Sequence, residues 1–199
     1  MSSRRLILAS ASPARLRLLT DAGFAPEVRI SGVDEESQDA DTVDALVAAL
    51  AEAKAAAVAA GPDVDDALVI GCDSLFEIDG QGWGKPGTPD EARARIRAMQ
   101  GRSGLLHTGH CLIDASSGKR AAAVRSTVVR FAPMTDAEVD AYVATGEPLA
   151  VAGSFTLDGR ASVFVESIEG DPSNVIGLSL PLLRTLLAEL DVGVRELWA

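Results

Sequence analysis

At 199 residues the chain is long enough to bury a sizeable core as one domain, or as one domain with two lobes. Hydrophobic residues at 47% and charged residues at 24% suit a soluble globular protein, and aromatics at only 4% leave the core to Ala, Val, Leu and Ile. A formal charge of −11 excludes a duplex DNA or RNA binder, which needs a basic face, so any anionic ligand must be held by a few local cations or a metal ion.

The chain opens on LILASASPARLRLL, residues 6–19. The apolar Leu6–Leu8 predicts a strand. Ser12 is placed to cap a helix, Pro13 suits its first position, and Leu16, Leu19 and Ala22 follow at helical spacing up to Gly23. VRISGVDEES (28–37) reads as a short strand ending in an acidic turn at Asp34, Glu35 and Glu36. Residues 42–60 form an alanine-rich helix closed by Gly61-Pro62. ALVIGC (67–72) is continuously apolar, as a strand buried on both faces should be, and is expected to end at Asp73.

A hairpin with Asp79-Gly80 as its turn comes next, joining LFEI to QGW. Gly84-Lys85-Pro86 leads to Thr88–Glu91, a capping box opening a helix that runs to Gly101. Residues 105–114 and 120–131 read as a longer hairpin, and a second capping box, Thr135–Glu138, starts a helix ending near Gly146. AGSFTL (152–157) and SVFVESI (162–168) look strand-like around Asp158-Gly159. A last leucine-rich helix opens at Asp171-Pro172 and is interrupted at Pro181. Strands alternating with helices, with hairpins mixed in, predict an α/β fold: a mixed twisted β-sheet with flanking helices.

Cys72 and Cys111 lie inside apolar runs and read as small buried hydrophobes of a reducing compartment, without zinc-like spacing. No apolar run approaches the length of a membrane span and no signal peptide is visible, so a cytoplasmic protein with no membrane partner is expected.

Four places can carry chemistry. The opening turn offers an anion the free N–H groups of a helix N-terminus, the hydroxyls of Ser10 and Ser12, and Arg15 in the first turn. Its spacing is not that of a P-loop, and ordinary capping is the bland alternative. Lys54 falls in the middle of the apolar stripe of Val43, Leu46, Val47, Leu50, Ala57 and Val58, so it either snorkels out or meets a negative group. Asp73 sits at the end of the most apolar strand, where ligands of open α/β sheets gather. It reads as a metal ligand, a general base or a strand-ending cap. With Glu35 it makes a pair of carboxylates from different strands, which can hold Mg²⁺ together with phosphate oxygens and water. Lys85 is presented between a glycine and a proline, a common tripeptide.

In order, LILASASPARLRLL, SGVDEES, LAEAKA, VIGCDSLF, GKP, GEPLAVAGSF and GDPSNVIGLSL resemble the motifs of the Maf family of nucleoside triphosphate pyrophosphatases. The likeness covers essentially the whole chain, residues 1–199, as one Maf-like domain. It implies a fold related to inosine triphosphatases (Maf/Ham1-like), with two lobes around a cleft. The implied reaction is hydrolysis of the α–β phosphoanhydride of a nucleotide, giving the monophosphate and pyrophosphate, with Mg²⁺ or Mn²⁺.

By position, the resemblance makes Asp73, Glu35, Lys54 and Lys85 catalytic, Asp73 and Glu35 the metal ligands, and Ser10, Ser12 and Arg15 substrate-binding. Ala14 stands where the family usually has an arginine, which removes one cation. Ala150-Val151 stands where many members have Asp-Lys. Asp158 falls where uracil- and thymine-selective members tend to have glutamine and a 7-methyl-GTP branch an acidic residue. A carboxylate there can accept from guanine N1–H and N2–H₂. The alternatives are a nucleotide-binding regulator of cell division with little turnover, and a phosphosugar or other small-phosphate hydrolase. Small α/β enzymes are often twofold dimers, so a homodimer is open.

Overall fold

In chain order the elements are β1 (Arg5–Leu8), α1 (Pro13–Asp21), β2 (Glu27–Val28), α2 (Val43–Ala59), β3 (Ala67–Ile78), β4 (Gln81–Trp83), α3 (Pro89–Met99), β5 (Ser103–Asp114), β6 (Arg120–Phe131), α4 (Asp136–Ala144), β7 (Val165–Glu169), α5 (Pro172–Ile176) and α6 (Leu180–Glu189). The computed structural model describes residues 4–35 and 37–199; Glu36 of the expected acidic turn lies outside the described residues. The strands run in the order β2-β1-β3-β5-β6-β7, with β4 beside β3, and β1 pairs in parallel with both β2 and β3. This is the mixed α/β sheet that the alternating pattern predicts.

The chain divides into two compact units. One comprises Met1–Asp73, Thr108–Arg125 and Gly177–Ala199, the other Ser74–His107 and Ser126–Ile176. In the first unit, strand alternation sorts the apolar residues by face. Leu6, Leu8, Leu68, Ile70 and Leu112 pack with Leu183, Leu186 and Leu187 of α6 and Leu19 of α1. Ile7, Ala9, Ala67 and Val69 turn the other way, onto Val58 of α2. Both faces of β3 are thus covered, which is why ALVIGC carries no polar alternation. In the second unit Phe76, Phe131 and Phe155 form an edge-to-face trio inside a core with Ile96 of α3 and Val139 and Val143 of α4.

Several expectations need correction, among them the strand over SVFVESI, which begins only at Val165 because Arg160–Phe164 form a short 3-10 helix. β3 does not end at Asp73 but runs on to Ile78, because Phe76, Glu77 and Ile78 find ladder partners in β4. The strand expected over 28–37 is only Glu27–Val28. AGSFTL is not a strand: Gly153 and Ser154 adopt φ of 70° and 62°, and a Cβ at Gly153 would lie 2.6 Å from that of Phe76, so the chain turns where only glycine fits. The final helix breaks at Gly177–Ser179, not at Pro181, which lies in the first turn of α6 behind the N-cap Ser179. Of the two expected capping boxes, one forms and one does not. Thr135 and Glu138 form the full box, while Glu91 turns to the Gly87 N–H (2.9 Å), leaving Thr88 to cap α3 alone. Among the described residues, no helix is long and apolar enough to cross a membrane.

Asp114 closes the turn between β5 and β6. Its carboxylate accepts from Arg4, from the Ser116 hydroxyl at 2.7 Å and from the Ser117 hydroxyl at 2.8 Å. Burial alone would raise this carboxyl, but those hydrogen bonds hold it well below the usual carboxylate range. A depressed folded-state value means stabilisation that is complete above the unfolded value, about 3.9, and lost as the pH falls below it. Asp114→Asn is expected to cost about 1–3 kcal/mol at pH 7. Urea unfolding should show the gap between variant and parent narrowing as the pH falls below about 4 but still open at about pH 3, whereas a gap independent of pH would remove the charge from this account.

Candidate active site

Three parallel strands deliver polar groups to one edge of the sheet. The last registered pair of β1 and β3 is Leu8 with Ile70, and β2 pairs Val28 with Leu8. Beyond these residues the chains carry Ser10 and Ser12, then Cys72 and Asp73, then the loop to Glu35. This C-terminal edge is where open α/β sheets hold their ligands.

Asp73 shares the alternation of Ala67, Val69 and Gly71, so it points to the α2 side. Lys54, on the buried stripe of α2, meets it there: Nζ lies 2.5 Å from Asp73 Oδ1 and 2.6 Å from Glu35 Oε1. Lys54 and Asp73 are each 7% exposed, whereas the Glu35 side chain is 58% exposed. Lys54 therefore does not snorkel; it is a buried cation between two carboxylates. Close packing brings it that far in. A Cβ at Gly71 would lie 2.2 Å from the Ala51 carbonyl oxygen, and one at Gly109 2.1 Å from that of Val47, so α2 rests directly on two strand backbones. The sequence reading passed over both glycines, although a glycine inside an apolar strand signals such an approach.

The convergence of Asp73 and Glu35 on one ammonium shows that both can serve a single cation. Two carboxylates are the protein share of a typical Mg²⁺ site, the remaining positions going to phosphate and water. Among the described residues no group of three or more His, Cys, Asp or Glu is gathered for a metal.

Ser10, Ser12 and Arg15 form a second cluster on the same edge. Ser12 caps α1 by accepting from the Arg15 N–H (3.4 Å), and its own N–H donates to Ser10 Oγ (3.2 Å). Arg15 folds back, with Nη1 donating to Ser10 Oγ at 3.1 Å and Nε donating to the Gly177 carbonyl at 2.8 Å. At 9% exposure this guanidinium is a fixed, largely desolvated charge in the first turn of a helix, where the dipole already favours anions. Arg17 is exposed and Ala14 half-buried. Gly177 was not singled out in the sequence, since nothing local marks a carbonyl that serves a residue so distant in the chain.

Cys72 lies on the opposite face of β3 from Asp73. Burial pushes its thiol up to about 12, with smaller influences from Arg15, Asp73 and Lys54; burial likewise raises Cys111, to about 11. Both are unpaired buried thiols, as read.

Lys85 and Asp158 belong to the second unit and are exposed. The Gly84 carbonyl accepts from Arg95 Nη1 (2.7 Å) and from the Gly153 N–H (3.2 Å), which ties the Lys85 loop to the left-handed turn. The segment around Asp158 is organised by Glu147, which accepts from Thr156 Oγ1 at 2.6 Å and from the Arg160 N–H at 2.9 Å.

The family model described as Maf-like protein matches residues 5–190. Among curated proteins, a nucleoside triphosphate pyrophosphatase of Streptomyces coelicolor is 62% identical over 98% of this chain and 95% of its own. One of Streptomyces avermitilis is 59% identical over the same shares. Among solved structures, a HAM1 protein from Coxiella burnetii is similar at 15% identity and a TM-score of 0.47, covering 94% of this chain and 99% of its own.

Proposed function

The chain belongs to the Maf family, and from that premise we propose that it is a nucleoside triphosphate pyrophosphatase, cleaving the α–β phosphoanhydride of a nucleotide to the monophosphate and pyrophosphate. The observation that carries the reading is the buried Lys54 held between Asp73 and Glu35 at the sheet edge that also bears Arg15 and Ser10.

The reaction needs an in-line water, neutralised phosphate oxygens and a stabilised pyrophosphate leaving group. Ser10, Ser12 and the first N–H groups of α1 orient the phosphates, and Arg15 supplies fixed positive charge. Lys54 adds a second cation and holds the Asp73 carboxylate in place. Asp73 orients the attacking water and takes its proton. Asp73 and Glu35 are the residues that would hold Mg²⁺ or Mn²⁺, which when bound neutralises phosphate oxygens. Lys85 contributes further charge to the phosphates. Asp158 accepts hydrogen bonds from a guanine-type base, whose N1–H and N2–H₂ are donors, and meets the carbonyl oxygens of uracil badly.

The same reading places the enzyme in the cytoplasm, working on free nucleotides. The test is a panel of nucleoside triphosphates, modified bases included, with Mg²⁺ or Mn²⁺. Pyrophosphate and monophosphate are the expected products, with guanine-type bases preferred. Orthophosphate release overturns the position of cleavage. Tight binding without turnover replaces the enzyme with a nucleotide-binding regulator, the outcome that the cation missing at Ala14 would favour.

A further inference from the structure

We propose that His110 is a positioning residue for Arg15, acting through the turn at Gly177–Ser179; the proposal rests on the reading of Arg15 as a phosphate-binding cation. His110 is 1% exposed and lies two residues from Leu112 along β5, on the face that packs against α6. Its Nε2 lies 2.8 Å from the Ser179 backbone nitrogen, whose N–H can only donate, so Nε2 is the acceptor and carries no proton. Its Nδ1 lies 3.0 Å from the Thr108 carbonyl oxygen, which can only accept, so the proton is on Nδ1. The two partners assign the neutral Nδ1–H tautomer.

Ser179 needs this acceptor. It is fully buried and is the N-cap of α6, and its Oγ accepts from the Leu182 N–H at 3.1 Å. A residue at a helix N-cap has no preceding turn of helix to take its N–H, so the imidazole does so. Two residues upstream, the Gly177 carbonyl receives Arg15 Nε at 2.8 Å. Contacts therefore run from His110 through Ser179 and Gly177 to Arg15 and Ser10, all within the first unit. A guanidinium is planar and rigid, so fixing Nε and Nη1 fixes the direction of its whole donor fork. Without the imidazole acceptor, the turn that carries the Gly177 carbonyl keeps the buried Leu178 but loses its hydrogen bond to the sheet.

The test compares His110→Leu, which keeps apolar bulk and removes the acceptor, with His110→Gln, whose carbonyl reaches the Nε2 position. Two readouts are taken: hydrogen exchange of Arg15 Nε–H by NMR, assigned with Arg15→Lys, and steady-state kinetics on a nucleoside triphosphate. His110→Leu is expected to speed Arg15 Nε–H exchange about tenfold, with the Leu187 amide in α6 still protected, and to raise KM about tenfold while kcat stays within about threefold. His110→Gln should return both. Unchanged Arg15 Nε–H exchange in a folded His110→Leu protein overturns the proposal. Should that variant not fold, His110→Asn, which reaches only the Nδ1 position, replaces it in the same comparison. The exchange readout needs no turnover, so a parent protein releasing no pyrophosphate counts against the proposed function and leaves exchange to decide on His110.

Discussion

Asp73→Asn is expected to lower pyrophosphate release by a factor of about a hundred to ten thousand, while nucleotide affinity stays within a few-fold. Asparagine matches the shape of aspartate but can neither take a proton from water nor offer an anionic oxygen. Affinity should survive because the groups proposed to hold the phosphates, Arg15, Ser10 and the first turn of α1, make their contacts with one another and with Gly177, not with Asp73. The fold should survive as well. Lys54 keeps Glu35 at 2.6 Å, so the substitution leaves no unpaired ammonium in the interior. Rapid-quench turnover beside calorimetric titration with nucleotide and Mg²⁺ checks both halves. Parental turnover in the variant would remove Asp73 from the chemistry, and a matched loss of affinity and rate would make it a binding group instead.

What the sequence disclosed follows from what periodicity can carry. The 3.6-residue period of α2 put Lys54 on the buried stripe, and the apolar run 67–72 gave a two-sided strand. These two patterns leave a snorkelling lysine and a cation meeting a carboxylate both open, and the tertiary fold decides for the second. The end of the strand was misread because a polar residue after an apolar run resembles a terminus. In β3 the burial of Asp73 is offset by Lys54, and the ladder resumes with β4, neither of which is a local property. The segment 152–157 was misread for a related reason. Its composition favours extended structure, but the contact of Gly153 with Phe76 bends it. Arg15 was legible as a first-turn cation. Its acceptor at Gly177 and the imidazole behind that turn come from distant parts of the chain, joined only by the tertiary fold.

Lys54→Met should reveal an asymmetry that no exposed ion pair would show. Methionine fills the aliphatic length of lysine, so packing along the buried stripe of α2 is largely kept. What disappears is the charge between two carboxylates, one of them 7% exposed with Lys54 as its partner at 2.5 Å. Removing one member of a buried pair strands the other, a loss of about 3–5 kcal/mol. Asp73→Asn strands nothing, so its loss should be smaller. In the double variant Asp73 is no longer charged, and stability should return toward that of Asp73→Asn, giving a coupling energy of about 2 kcal/mol or more. Turnover should behave differently. Losing a well-placed cation from the phosphate site costs on the order of a hundredfold in kcat, and the double variant should recover none of it. Urea unfolding of the four proteins, with kinetics at 25 °C where all remain folded, separates the two roles. If Lys54→Met turned over normally and were as stable as the parent, Lys54 would be neither the partner that Asp73 depends on nor a charge the reaction uses.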